Sequence, residues 1–192
     1  MTLVETEAIR TERLALLPLR VEYAEEMAGA LSDESLYTFT GGTPPTVADL
    51  SIRYQRQLAG PPDKSASWHN WVLRRHEAPG LIGYVQATVS PSAYGLVGEI
   101  AWVVAPAFQG HGYAKEAARG LVGWLVSHDV PTVIAHVHPD HAASAAVAAA
   151  AGLTPTARLQ AAEVRWRLHL RPTIALPQET RHQAGKNRHQ VA

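Results

Sequence analysis

Cysteine is absent from all 192 residues, so this chain has no disulfide, no thiol nucleophile and no cysteine-ligated zinc site. Any chemistry it performs must use carboxylates, imidazoles, hydroxyls or the backbone. Net charge is absent as well, because 17 Lys and Arg balance 17 Asp and Glu. That balance leaves no global field to gather nucleic acid or a polycation, although local patches remain open. No stretch approaches the ~20 apolar residues of a membrane helix, and the opening MTLVETEAIR, with its two glutamates, is unlike a signal peptide. The expectation is a cytoplasmic protein with neither a membrane nor a nucleic-acid partner. The length suits one domain with a proper core. We place that domain at residues 1–170, followed by a flexible tail over 171–192, where periodicity is lost.

The richest stretch is GEIAWVVAPAFQGHGYAKEAAR, residues 98–119. An apolar strand runs through a Pro-containing turn into a glycine-rich helix start. Glu99, Ala101 and Val103 share one strand face and Ile100, Trp102 and Val104 the other, so Glu99 is the only ionisable side chain there. In the helix, Ala114, Ala117, Ala118, Leu121, Val122 and Leu125 recur on one face. Between strand and helix, Gly110 and Gly112 put backbone N–H groups where an anion can approach, at the positive end of the helix dipole. A diphosphate fits that pattern. A dinucleotide turn of the Gly-x-Gly-x-x-Gly type does not, since Lys115 stands at the third glycine position and five residues intervene after the strand. A Walker loop is excluded because its string occurs nowhere.

The remaining pattern predicts strands over 13–19, 68–74, 81–89, 98–104, 132–138 and 163–170. Helices are expected over 21–31, over 47–58 with Thr46 as cap, and over 142–151 with Gly152 as a left-handed end. The helix over 142–151 is alanine apart from Ser144 and Val147, which suits either plain helix propensity or a surface that admits a ligand closely.

Val104-Ala105-Pro106-Ala107-Phe108-Gln109-Gly110-His111-Gly112-Tyr113-Ala114 resembles the acetyl-CoA signature of the GNAT N-acetyltransferases, Gln/Arg-x-x-Gly-x-Gly/Ala after a Val-x-Pro turn. A second stretch, His138-Pro139-Asp140-His141-Ala142-Ala143-Ser144 with Ala151-Gly152-Leu153, is similar to the second half of the family pattern. The opening Thr11 to Leu19 resembles the branch that includes the N-terminal alanine acetyltransferases of ribosomal proteins. Together the likeness covers roughly residues 10 to 170.

The resemblance implies an α+β fold: a mixed, mostly antiparallel twisted sheet flanked by helices and splayed at the cofactor strand. Acetyl-CoA is the implied cofactor. Its pantetheine would bond the backbone of Trp102, Val103 and Val104, and an N–H of Val103 or Val104 would hold the thioester oxygen. Its pyrophosphate would rest on Gln109, Gly110, His111, Gly112, Tyr113 and Ala114, with His141 and Ser144 also at the cofactor.

Glu99 is the expected base, acting through water on the incoming amine, with an ion-pair partner as its structural alternative. Ser144 is the expected donor to the leaving thiolate, because Ala148 occupies the position of the tyrosine acid found in many members. His141 replaces the family's Asn. No metal is expected, although His136, His138 and His141 also suit a zinc reading. The acceptor would be a small-molecule amine or a peptide N-terminus, and Tyr37, Phe39 and Trp68 are candidates to wall its pocket. A homodimer is compatible with the family. A non-catalytic acyl-CoA-binding sensor is the competing reading.

Overall fold

The computed structural model describes residues 5–62 and 64–170. The expected tail over 171–192 lies outside them. Strand β1 covers Ile9–Arg10, β2 Leu14–Pro18, β3 Ser67–Arg75, β4 Leu81–Ser92, β5 Gly95–Val104, β6 Thr132–Val137, β7 Thr154–Gln160 and β8 Glu163–His169. Four helices, α1 (Ala24–Ala30), α2 (Val47–Ala59), α3 (Tyr113–Ser127) and α4 (Ala142–Ala150), are joined by three short 3-10 turns. The strands form one mixed sheet in the order β1-β2-β3-β4-β5-β6-β8-β7, parallel only between β5 and β6.

Alternation along each strand sends residues to two cores. On one face, Trp71, Leu73, Val85, Ile100, Val104, Val133 and Ala135 pack under α3 and α4, which contribute Ala117, Leu121, Leu125, Val147 and Ala148. On the other, Val72 and Leu81 meet Met27 of α1 and Leu50 and Tyr54 of α2. The helix over 47–59 starts on a reciprocal cap: Asp49 N–H donates to Thr46 Oγ1 at 3.1 Å and Thr46 N–H to Asp49 Oδ2 at 2.9 Å. Such a cap stabilises a helix start by about 1 kcal/mol. Helix α4 ends as the sequence predicts, with Gly152 at φ +88° and the N–H of Leu153 bonded to Ala148 O at 3.0 Å.

Two strands escape the sequence pattern. The segment Thr154–Gln160 begins Thr-Pro, carries Arg158 and is exposed along almost its whole length, so no alternation marks it as a strand. Its pairing with β8 alone defines it. The other, β1, is a two-residue bridge to β2.

One buried group makes the fold acid-sensitive. His69 is 3% exposed, Thr6 Oγ1 lies 2.9 Å from Nδ1 and Ser67 Oγ 2.9 Å from Nε2, and the Trp71 and Trp124 rings pack beside it. Burial, aided by the nearby His128, pulls its pKa down to about 4 from 6.5. The unfolded chain therefore binds a proton that the folded chain refuses, and stability falls as pH drops from about 6.5 towards 4, then levels off. At about 1.4 kcal/mol per tenfold the loss reaches roughly 3 kcal/mol. Unfolding free energies from urea titrations at neutral pH and at pH ~4.5 should differ by most of this amount in the wild type and by much less in His69→Gln. Equal differences in both would remove His69 from the account.

Candidate active site

Strand β5 bonds β6 over only three pairs, Val97 with Thr132, Gly98 with Val133 and Glu99 with Ile134. Beyond Glu99 the two strands part: β6 remains paired to β8 through Val137, and β5 remains paired to β4 through Val104. A wedge opens between them. Ala105 N–H donates to Ile82 O at 2.8 Å, and bonding alternates along an antiparallel pair. Odd-numbered residues of β5, Val103 included, thus direct their backbone groups at β4. Trp102 and Val104 direct theirs into the wedge.

At the end of β5 the chain makes a 3-10 turn at Pro106–Phe108 and reaches the glycines. Gly110 has φ +78° and Gly112 φ +82°, left-handed conformations that side chains with a Cβ adopt at a cost. Three side chains hold this loop by its carbonyls. Gln109 Nε2 donates to Val104 O at 2.9 Å, His111 Nδ1 to Gln109 O at 2.8 Å, and Arg13 Nη1 to His111 O at 3.0 Å. Among the described residues, the N–H groups from Gly110 to Lys115 find no backbone acceptor. They form a run of open donors at the N-terminus of a 15-residue helix.

Arg13 is a brace that the sequence did not announce. Its Nε and Nη2 each lie 2.7 Å from Glu116 Oε2, and Thr11 Oγ1 and Arg13 N–H donate to Glu116 Oε1 at 2.6 and 2.7 Å. Burial pushes the Glu116 carboxyl up, but these hydrogen bonds and the Arg13 charge outweigh it and hold the carboxyl below its usual range. The guanidinium also lies 4.7 Å over the Tyr113 ring, which stacks in turn with His111. Strand β2's entry thus locks the glycine loop to α3.

Glu99 lies where pairing ends, half exposed, on the face that α1 and α2 cover. Its Oε1 is 3.1 Å from His136 Nδ1, so the imidazole proton sits on Nδ1 and His136 Nε2 is left buried without a partner among the described residues. Finding this pair from sequence required the β5–β6 register, since 37 residues separate the two.

The other two histidines go elsewhere. His138 and His141 pack on the Phe39 ring, at 5.2 and 4.3 Å between centroids, so the α1–α2 connection lies against the end of β6 and the start of α4. Burial, together with His138 nearby, lowers the His141 pKa and favours the neutral ring. No group of three His, Asp or Glu among the described residues is arranged to hold a metal ion. Ser144 is the third residue of α4, in its first turn, partly buried, and its hydroxyl makes no hydrogen bond among the described residues. Of the expected pocket walls, Tyr37 donates to Leu31 O at 2.9 Å, and Trp68 pairs with Thr88 next to Glu99.

The order of these parts can be compared with known families. A sequence model of the GNAT acetyltransferase domain matches residues 13–154. The chain belongs to the GNAT acetyltransferases. No curated protein sequence matches it significantly. Among solved structures, this acetyltransferase is similar to an acetyltransferase from Agrobacterium tumefaciens at 24% identity and TM-score 0.65, over 88% of this chain and 98% of that one. RimL, a ribosomal L7/L12 alpha-N-protein acetyltransferase solved with coenzyme A, gives 12% identity and TM-score 0.69 over 85% and 98%. The aminoglycoside acetyltransferase AAC(6')-Ib, also solved with coenzyme A, gives 19% and 0.66 over 81% and 94%. At such identities the likeness is one of fold. It bears out the mixed, splayed sheet and its flanking helices that the glycine-loop resemblance implied.

Acetyl-CoA is the cofactor that goes with this family, and the residues of the GNAT chain fit it. A Cβ at Gly110 would have no atom within 4 Å, so the space beside the row of open donors is clear for a ligand to approach the backbone. The wedge beside Trp102 and Val104 offers backbone groups to an extended amide-bearing arm. Helix α4, with Ala142 and Ala143 exposed at its start, presents no bulky side chain to that arm. Among the described residues no helix is long and apolar enough to cross a membrane.

Proposed function

We propose that the protein is an N-acetyltransferase that moves an acetyl group from acetyl-CoA directly to a primary amine, of a small molecule or a peptide N-terminus, in a ternary complex. The observation that carries this reading is the position of Glu99: it closes the β5–β6 pairing and faces the α1–α2 side, three residues before Trp102, whose backbone opens into the wedge. Acetyl-CoA supplies an activated acyl group. The chain's open N–H groups from Gly110 to Lys115, with Gln109 fixing the loop, bind its diphosphate. Backbone groups of Trp102 and Val104 orient the arm, with Val103 between them packing on the acceptor side, and the Val104 N–H stabilises charge on the carbonyl oxygen.

An ammonium has no lone pair, so Glu99 takes the proton of the acceptor through water, and His136 positions the carboxylate by the Nδ1–H bond. His141 and Ser144 flank the cofactor at the start of α4, and Ser144 is the hydroxyl that hands a proton to the departing sulfur. The usual tyrosine acid has no counterpart, since Ala148 is fully buried in the core. That gap also favours a second reading, a module that binds acyl-CoA without turnover.

Calorimetric titration with acetyl-CoA, followed by a thiol-release assay over a panel of amines, separates the cases. Micromolar binding with amine-dependent release is expected. Binding with only slow, amine-independent release would replace the enzyme by the sensor, and no binding would end both readings.

A further inference from the structure

The face that carries Glu99 also holds a cavity of about 60 Å³ between α1, α2 and strands β3 and β4. Its apolar lining includes Leu19, Leu31 and Leu50, yet Arg53, Tyr54, Asn70, Tyr84 and Gln86 line it as well. The phenols of Tyr54 and Tyr84 and the amides of Asn70 and Gln86 make no hydrogen bond among the described residues. Arg53 makes neither a hydrogen bond nor an ion pair there. No carboxylate lines the space. Asp49 stands one helical turn before Arg53 and feels its charge without forming an ion pair, its Oδ2 being taken by the Thr46 N–H and hydroxyl at 2.9 and 2.6 Å. Arg53 is exposed at the rim of this space and is held by no hydrogen bond or ion pair among the described residues, so its guanidinium is free to meet an anionic group that enters.

The register places this cavity beside the reacting strand. Tyr84 pairs with Val103, Gln86 with Ala101 and, across the other side, with Asn70, so Gln86 is a diagonal neighbour of Glu99. From β5 the lining reaches one to two strand spacings away, roughly 5–10 Å. An acceptor whose nitrogen stands near Glu99 therefore extends its far end to Arg53.

We propose that the acceptor carries an anionic group, a carboxylate or a phosphate, roughly 5–10 Å from its amine, and that Arg53 binds this group with help from the Tyr54 and Tyr84 hydroxyls. The inference rests on the acetyltransferase reading and adds the class of amine. A guanidinium holds a carboxylate or phosphate by charge-assisted bonds, and it repels the far end of a polyamine. Neutral amines leave Arg53 unmatched. The loss of one such charged contact corresponds to about a tenfold to hundredfold change in affinity.

The test uses the full chain with coenzyme A bound and compares alanyl-alanine with its C-terminal amide, aminobutyl phosphate with aminobutanol, and spermidine as a cationic control. Calorimetry reads acceptor binding independently of turnover, and thiol release reads kcat and KM. Binding of one of the anionic amines at least about tenfold tighter than its neutral partner is expected, with the difference in KM rather than kcat. Which anionic amine binds tells the carboxylate source from the phosphate source. In Arg53→Gln that preference should vanish, and in Arg53→Lys it should be partly restored. Binding of neither anionic amine, equal binding of acid and amide, tighter binding of spermidine, or a preference that survives Arg53→Gln would each overturn the proposal. Failure of the protein to bind coenzyme A would instead bring down the acetyltransferase reading beneath it.

Discussion

Gly112→Glu should raise the Kd for acetyl-CoA by at least about a hundredfold. Two effects act together. The new Cβ forces a non-glycine residue to φ +82°, which costs about 1–2 kcal/mol. The new carboxylate enters the row of open N–H donors at the positive end of α3 and opposes a diphosphate there. It also stands near Arg13, whose Nη2 lies 3.4 Å from the position a Cβ would take, and so competes with Glu116 for the brace that holds the loop.

A matched control removes the trivial explanation. Gly60 ends α2 at φ +76° and ψ −180°, a conformation still less open to side chains than that of Gly112, and has open space around it, so Gly60→Glu carries at least as much backbone strain at a site outside the loop. Calorimetry should find near wild-type affinity there and none in Gly112→Glu. Equal affinities in both would make the glycine loop a structural turn.

Glu99→Gln should lower kcat by about a hundredfold to ten-thousandfold while acetyl-CoA affinity stays within about twofold. The amide keeps the shape and the hydrogen bond to His136 but accepts no proton. What remains is the small fraction of acceptor already deprotonated in solution, which grows with pH. The variant's rate should therefore climb about tenfold per pH unit over a range in which the wild type climbs less steeply. A kcat within about twofold of wild type would move the base elsewhere, and His138, which faces Phe39 at the same end of the sheet, would be the next residue to change.

Both variants fall on positions that one sequence pattern makes visible, and the reason is local. The strand alternation, the Pro turn and the two glycines of residues 98–114 are all short-range features, so the strand, the left-handed turn and the helix start of the proposed cofactor end are legible in the amino-acid sequence alone. Glu99 is legible for the same reason, as the sole ionisable group of its strand. The helix boundaries at Thr46 and Gly152 follow from capping chemistry and agree with the structure. What escapes depends on register and on distant segments. His136 reaches Glu99 only because Ile134 pairs with it, and Arg13 reaches the glycine loop across 98 residues. The cavity around Arg53 needs α2 to be laid over two strands. No spacing within α2 says what lies beneath it. The sequence also leaves Tyr37, Phe39 and Trp68 as undifferentiated aromatic candidates, whereas the structure gives Phe39 alone of the three the contact with His138 and His141.

The three-pair contact between β5 and β6 has a mechanical meaning. It is the seam in the sheet between a five-stranded half and a three-stranded half, and much of the remaining attachment runs through α3 and α4 packed across it. An extended ligand lying in the wedge takes over rungs that the protein itself leaves vacant. A cofactor bound there would stitch the two halves together, so that by linkage the last three strands would become harder to open as ligand concentration rises above its Kd.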